Sequence, residues 1–465
     1  MKISFHGAAM TVTGSKHLIS LTNGKKILLD CGIFQGRGKE TEMLNRHFGF
    51  NPKEVSCVLL SHAHADHSCL LPKLVKEGFK GKIYATPATV DIAKILLQDS
   101  AFIQQQDIHF LNKKRAKEGK PLLEPLYTED DVLKTFSHFV PVECNRPFRI
   151  DQSVEMEFFE VGHIAGAAMI YLRLTENGTT TTVAFSGDVG RYRDPILHSP
   201  QTFPPADYII IESTYANKLH GPIESYSEDL LQNIEETCLG KKGKLIIPAF
   251  SVGRTQELLY ALNDLELDKR LPSLKYYLDS PMSTKVTDVV KKHPECFNRS
   301  VQKLFKIDDP FQFKGLQYIT DKRESQALNT NYTPMVIISA SGMAEAGRVK
   351  HHIANGIENW RNTILMIGYC EPQSLGARLK QHPETVSIFG NPFTVRADIK
   401  IIDSMSAHAD YNDLCQFLSC QDAGEVKRVF IVHGEPEVQK EFKRRLLKKG
   451  FKDIEIPKLH QEFGI

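Results

Sequence analysis

Short apolar runs dominate the first 200 positions of the chain, and a longer alternation follows them. Residues 2–6, 17–21, 26–30 and 55–61 read as strands, because Ile, Leu, Val and Phe cluster there between turn-forming residues. Helix formers fill positions 91–118, where no glycine occurs until Gly119. Strands resume at 154–161, 169–174 and 180–186. After Pro204-Pro205 the pattern changes. Apolar runs at 208–211, 244–249, 275–278, 335–339 and 363–368 alternate with amphipathic stretches such as 254–265. Such alternation predicts a parallel sheet covered by helices. A last β-rich piece, 394–404 and 428–432, precedes a helix over 437–449. No repeat of solenoid period is present.

Composition narrows the class. The 465 residues exceed the ~250–300 at which one core stops growing, so two domains are expected. The first fourteen residues lack the apolar core of a secretory signal, and no apolar run approaches the ~18 residues that span a bilayer. Nine cysteines are scattered without a CxxC pair. This excludes a disulfide framework and a thiolate zinc site, and points to reduced thiols in the cytoplasm. A net charge of +2 names no polyanion partner by itself. The basic run Lys113-Lys114-Arg115-Ala116-Lys117 reads as a solvated helix face.

The chemistry concentrates in Ser61-His62-Ala63-His64-Ala65-Asp66-His67, directly after the apolar run Val58-Leu59-Leu60. A buried strand ends there, and four metal-type donors emerge from one loop. Three imidazoles and a carboxylate are costly to bury without a cation. Nitrogen and oxygen donors without thiolate suit a catalytic zinc site. Further donors must come from elsewhere. His163, Asp188 and His433 each follow an apolar run, which puts them at strand ends on one rim of a layered fold. Taken singly, each also fits a structural role. Asp30, ending Ile27-Leu28-Leu29, suits an orienting role behind the ligands, or an ordinary turn.

These residues resemble the ordered motifs of the metallo-β-lactamase superfamily: Asp30, His62-x-His64-x-Asp66-His67, His163 and Asp188. Glu212 in Ile211-Glu212-Ser213-Thr214, His408 in Ser406-Ala407-His408-Ala409-Asp410, and His433 in Val432-His433-Gly434-Glu435 resemble its β-CASP branch, which processes nucleic acids. So do residues 249–257, residues 339–343, and the opening Gly7-Ala8-Ala9 with Val12-Thr13-Gly14-Ser15. The similarity runs end to end and is nearest to bacterial and archaeal relatives of the nuclease subunit of the pre-mRNA 3′-end cleavage factor.

The resemblance implies an α/β fold: a four-layer αβ/βα sandwich with an inserted β-CASP domain on a mostly parallel, helix-covered sheet. The expected boundaries are 1–206 and 395–465 for the sandwich and 207–394 for the insert. It implies two zinc ions. One would be held by His62, His64 and His163, the other by Asp66, His67 and His433, with Asp188 bridging. His433 points to RNA, since DNA-processing members carry Val there. Ala165, Ala167, Glu345, Ala346 and the Tyr369–Pro372 loop depart from the common pattern. They spare the ligands and bear on the substrate groove.

The reaction so implied is hydrolysis of RNA phosphodiester bonds by a hydroxide bridging the metals, endonucleolytic and on single-stranded RNA. His408 is the expected general acid, with Glu212 orienting it; a core histidine and a helix cap are the structural alternatives. Ser339, Ser341, Gly342, Arg254 and Arg348 are candidates to grip phosphates, though either arginine equally suits a structural ion pair. No membrane partner is expected, and a homodimer stays open. The rivals are a DNA nuclease, a two-zinc hydrolase of small thioesters, and a non-catalytic RNA-binding scaffold.

Overall fold

The computed structural model describes residues 1–36, 39–221, 226–368, 370–371, 373–402 and 406–465. Tyr369, Pro372 and Ser404 lie outside the described residues. The chain divides into two compact units. The first comprises Met1–Tyr192, His198–Leu219 and His408–Ile465; the second, Arg193–Leu197 and His220–Ala407.

Among the described residues, the first unit holds two seven-stranded sheets. One contains β1 (Lys2–Phe5), β2 (His17–Ser20), β3 (Lys26–Leu29), β4 (Cys57–Leu59), β5 (Lys82–Ala85) and β6 (Phe139–Pro141). The other contains β7 (Phe148–Arg149), β8 (Val154–Glu160), β9 (Ala168–Glu176), β10 (Thr179–Phe185) and β11 (Tyr208–Ile211). The second unit carries β12 (Lys244–Pro248), β13 (Lys275–Leu278), β14 (Leu316–Tyr318), β15 (Met335–Ser339), β16 (Thr363–Ile367), β17 (Thr385–Ile388), β18 (Asn391–Thr394) and β19 (Asp398–Ile402). The chain then returns to the first unit with β20 (Arg428–Ile431), β21 (Ile454–Glu455) and β22 (Glu462–Gly464).

The order of the first sheet is β22-β1-β2-β3-β4-β5-β6, and of the second β21-β20-β11-β10-β9-β8-β7. One core joins them. Ile3, Phe5, Ile19, Leu29 and Leu59 pack with Phe158, Ile170, Leu172, Phe185, Ile210 and Phe430. Each such buried side chain contributes about 1.5–3 kcal/mol.

In the second unit β14-β13-β15-β12-β16-β19 form one sheet, and every pairing in it is parallel. Helices Arg254–Leu267, Pro281–Val290 and Arg348–Gly356 belong to the same unit.

Tyr208–Ile211 pairs with β10 and β20 in the first unit, because its all-apolar strand must be covered on both faces. The expected run 394–404 is two elements. β18 closes a hairpin with β17, Arg396 and Ala397 turn out to donate to Ile357 O, and β19 joins β16.

Candidate metal centre

β4 delivers the His-rich loop. Beyond Leu59 the chain passes Ser61 and His62, and Asp66 and His67 sit on a one-turn helix, Ala65–Ser68. The loop is stapled from beneath. Ser15 N donates to Asp66 O (2.8 Å), Cys31 N to His67 O (2.7 Å) and Ile33 N to Ala65 O (3.1 Å). A Cβ on Gly32 would lie 1.6 Å from Asp66 O, so only glycine allows this approach. Lys16, fully buried, donates to Gly14 O and Gly32 O at 2.8 Å each and braces the same floor. Burial lowers its pKa to about 7.

Nine side chains from six chain segments converge above this floor. His62 Nε2 lies 3.2 Å from His64 Nδ1, and His163 Nε2 lies 3.1 Å from the same atom. His67 Nε2 faces His433 Nε2 at 3.2 Å, and His433 Nε2 is 3.4 Å from Asp66 Oδ2. Asp188 stands between these groups. Its Oδ2 is 3.4 Å from His62 Nε2 and 3.6 Å from His163 Nε2. Its Oδ1 is 3.3 Å from His67 Nε2 and 3.5 Å from His433 Nε2. Yet Oδ1 is buried and has no hydrogen-bond partner.

Donor atoms of His62, His64, His163 and Asp188 lie within 4.8 Å of one another, and so do those of Asp66, His67 and His433. Five imidazole nitrogens crowd within 3.1–3.2 Å of a neighbour, where facing lone pairs repel unless a proton or a cation lies between them. An orphaned carboxylate oxygen beside them costs desolvation. Cations resolve both conflicts, so the donor set fits metal. Asp188, Glu212 and His408 form a further group within the same limit.

Asp30 lies behind the ligands, as the sequence suggests. Fully buried, it accepts from His67 Nδ1 (2.6 Å), Ser61 N (2.8 Å), Ser61 Oγ (2.9 Å) and Ser15 Oγ (3.2 Å). This fixes the His67 tautomer and aims Nε2 inward. Thr214 Oγ1 does the same for His433, 3.0 Å from its Nδ1. Ser15 and Thr214 stand inside stretches that carry the resemblance but have no role assigned to them there, and Lys16 directly follows one of those stretches.

Glu212 is fully buried at the end of β11. Its Oε1 accepts from Val189 N (2.7 Å), its Oε2 from Thr214 N (3.2 Å), and Oε1 lies 3.2 Å from His408 Nδ1. Burial pulls the His408 pKa down. The charge and hydrogen bond of Glu212, with Asp188 and Asp66, outweigh it and raise the value to about 9. Burial lowers His62 to about 3 and His64 to about 4. Both are neutral at pH 7, the form that ligates metal.

The loop at His163 is held by the helix Pro87–Lys117. Thr86 Oγ1 and Thr89 Oγ1 donate to Gly166 O at 2.6 and 2.8 Å, with Ala165 and Ala167 buried beside it.

The five expected phosphate residues lie in the second unit. Arg254 is buried and paired with Glu257. Arg348 donates to Asp279 Oδ1 (2.6 Å), Ile319 O (3.2 Å) and Thr320 O (2.6 Å). Ser339 Oγ donates to Asp279 O at 2.7 Å. All three are engaged within the unit. Ser341 Oγ is buried without a hydrogen-bond partner, and Gly342 packs on Phe250. Of the two unusual residues nearby, Glu345 accepts from Leu375 N, and Ala346 O accepts from Ser341 N at 3.3 Å.

Comparison with known proteins finds three matching domains along the chain. Residues 17–236 match the metallo-beta-lactamase superfamily, 255–379 the Beta-Casp domain, and 393–457 the Zn-dependent metallo-hydrolase RNA specificity domain. Ribonuclease TTHA0252 of Thermus thermophilus is 36% identical over 94% of this chain and 94% of its own. Probable RNase MJ4 of Methanocaldococcus jannaschii is 29% identical over the full length of both. Endoribonuclease YSH1 of Candida glabrata is 27% identical over 95% of this chain, which spans 56% of that protein. No helix among the described residues is long and apolar enough to cross a membrane. With three matching domains in sequence and 36% identity across nearly the whole of a relative, the chain belongs to the β-CASP branch of the metallo-β-lactamase superfamily.

Proposed function

We propose that the protein is a zinc-dependent ribonuclease that hydrolyses phosphodiester bonds within single-stranded RNA. The observation that carries this reading is the division of Asp188, whose Oδ2 faces His62 and His163 while Oδ1 faces His67 and His433. A carboxylate so placed suits two cations. One ion would be held by His62, His64 and His163, the other by Asp66, His67 and His433, with Asp188 available to both. When bound, such ions supply Lewis acidity that neutralises charge building on the phosphoryl oxygens.

The chain's own groups do the rest. Asp30 and Thr214 keep His67 and His433 in the tautomer that presents Nε2. Glu212 holds the Nδ1 proton of His408, which leaves the other ring nitrogen to protonate the departing 3′ oxygen. Ser341 and the backbone at Gly342 are the phosphate-binding candidates, since the Ser341 hydroxyl has no internal partner. His62, His67, His163, Asp188 and His433 keep 3% or less of their side chains exposed. A backbone phosphate must descend to them, which an unpaired strand does by splaying its bases, while an A-form helix holds its phosphates in fixed rows. The RNA specificity match and the ribonuclease names of the relatives support RNA as substrate. The nine free cysteines suit the reducing cytoplasm.

The test is incubation of purified protein with end-labelled RNAs carrying 5′-phosphate or 5′-hydroxyl, beside DNA of the same sequence. Internal fragments from both RNAs are expected. A ladder confined to the 5′-phosphorylated RNA would make the enzyme a 5′ exonuclease, and equal cleavage of DNA would remove the RNA assignment.

A further inference from the structure

The helix Pro87–Lys117 has 31 residues, and its two halves differ. Val90, Ile92, Ala93, Leu96 and Leu97 are buried, but no residue after Ala101 is. Beyond that point the helix still carries large apolar groups. Phe110 is 75% exposed, Phe102 54%, Leu111 46% and Ile103 42%. One side of this half is covered: Asn112 exchanges two hydrogen bonds with Leu123, and Arg115 donates to Pro121 O. At ~100° per residue the opposite side presents Ile103, Asp107, Phe110 and Lys114 in one stripe. Its spacing of four, three and four is that of a helix that packs against another helix.

We propose that this stripe is a self-association surface, on which the helices of two copies of the chain pack antiparallel about a two-fold axis at Phe110. The pattern is its own complement. With the axis there, the Phe110 side chains of the two copies meet at the centre. Asp107 of each copy falls opposite Lys114 of the other, on both sides of that centre, because each stands about the same distance from the axis. Within one chain the two are seven residues, or ~10 Å, apart and cannot pair. Neither has an ion-pair partner among the described residues. Partial burial raises the Asp107 carboxyl with no cation to offset it, as expected of a group whose counter-charge arrives with a second copy. The contact is short, about three turns, which places it in the weak, concentration-dependent class. It uses no residue of the metal centre.

The test is sedimentation equilibrium of the full chain across micromolar concentrations, with far-UV circular dichroism to confirm that each variant is folded. A reversible dimer is expected. Phe110→Asp should leave only monomer. Asp107→Lys and Lys114→Asp, each alone, should weaken the dimer about tenfold or more, and the two together in one chain should restore it. A wild-type chain that stays monomeric overturns the proposal. So does a dimer indifferent to Phe110→Asp, or a double variant no better than the singles. Sedimentation of a monomeric wild-type chain with phosphatidylserine vesicles would assign the stripe to a membrane surface instead.

Discussion

Glu212 Oε1 stands 3.2 Å from Nδ1 of His408, and the same oxygen accepts a 2.7 Å bond from Val189 N. The carboxylate is thus fixed by backbone before it fixes the imidazole. His408→Ala should keep full metal content and lose about 10²–10⁴ in kcat on labelled RNA. Glu212→Gln should lose less, since an amide still accepts from Nδ1. Unchanged turnover in His408→Ala would remove it as the proton donor.

Asp188 divides its oxygens between two imidazole groups, whereas His433 approaches only the group that contains Asp66 and His67. Elemental analysis of His433→Ala should therefore find about one zinc fewer per chain than in the wild type. Asp188→Ala should lose both. An unaltered zinc content in His433→Ala would show that the second ion is held by other residues.

Asp30 touches no metal position, yet it accepts four hydrogen bonds, one from His67 Nδ1 at 2.6 Å. Asp30→Asn keeps the shape and weakens the grip on the His67 proton. Zinc affinity, read by competition with a chelator, should fall about 10–100-fold. An affinity equal to wild type would reduce Asp30 to a turn residue.

His6 is buried, 2.8 Å from Ser4 Oγ and 2.9 Å from Nδ1 of His460. Burial first, then His460 and Lys16, lower its pKa from 6.5 to about 4. Between those values the unfolded chain takes a proton that the folded chain refuses. Stability is full above pH 6.5 and falls as pH drops toward 4, by at most about 3 kcal/mol from this group. Denaturant midpoints of the zinc-loaded protein should fall between pH 7 and 5. In His6→Gln they should fall less, and an identical fall in both would exclude His6 as a cause.

Arg348 is tied to Asp279, which also accepts from His352 Nε2 at 2.6 Å and from Ser325 Oγ. Asp279→Ala strands a buried imidazole and a guanidinium, and should cost about 3–5 kcal/mol. Arg348→Ala should lower the unfolding midpoint without altering the salt dependence of RNA binding. A slope shallower by about 0.7 would restore Arg348 as a phosphate contact.

Much of the centre was legible because its residues sit where apolar runs end. His62, His64, Asp66 and His67 share one short segment, and His163, Asp188 and His433 each lie two or three residues beyond the end of a strand. Asp30 was read as an orienting residue for the same reason. The bracing groups were not legible. Ser15 and Thr214 lie within motif stretches, but their bonds to Asp30 and His433 run across the fold. For the arginines the sequence leaves phosphate contact and structural ion pair equally open, because it shows a charge but hides the Glu257 and Asp279 that lie beside them. β22 escaped notice as well. It is three residues long, and it exists as a strand only because β1 offers an edge to pair with. The helix begins at Pro87, ahead of the expected position 91, since proline is tolerated in a first turn and Thr86 caps it.

β11 and β20 lie side by side in one sheet, and Ser213 Oγ just beyond β11 bonds Val432 O just beyond β20, though 219 positions separate them in the chain. A growing polypeptide therefore exports the whole parallel-sheet unit before the neighbour of β11 has been synthesised. Until then an all-apolar edge stands open in the nascent protein. The ribosome must finish most of the message before that seam can close, so stalled or truncated products should be the ones that engage chaperones and proteases.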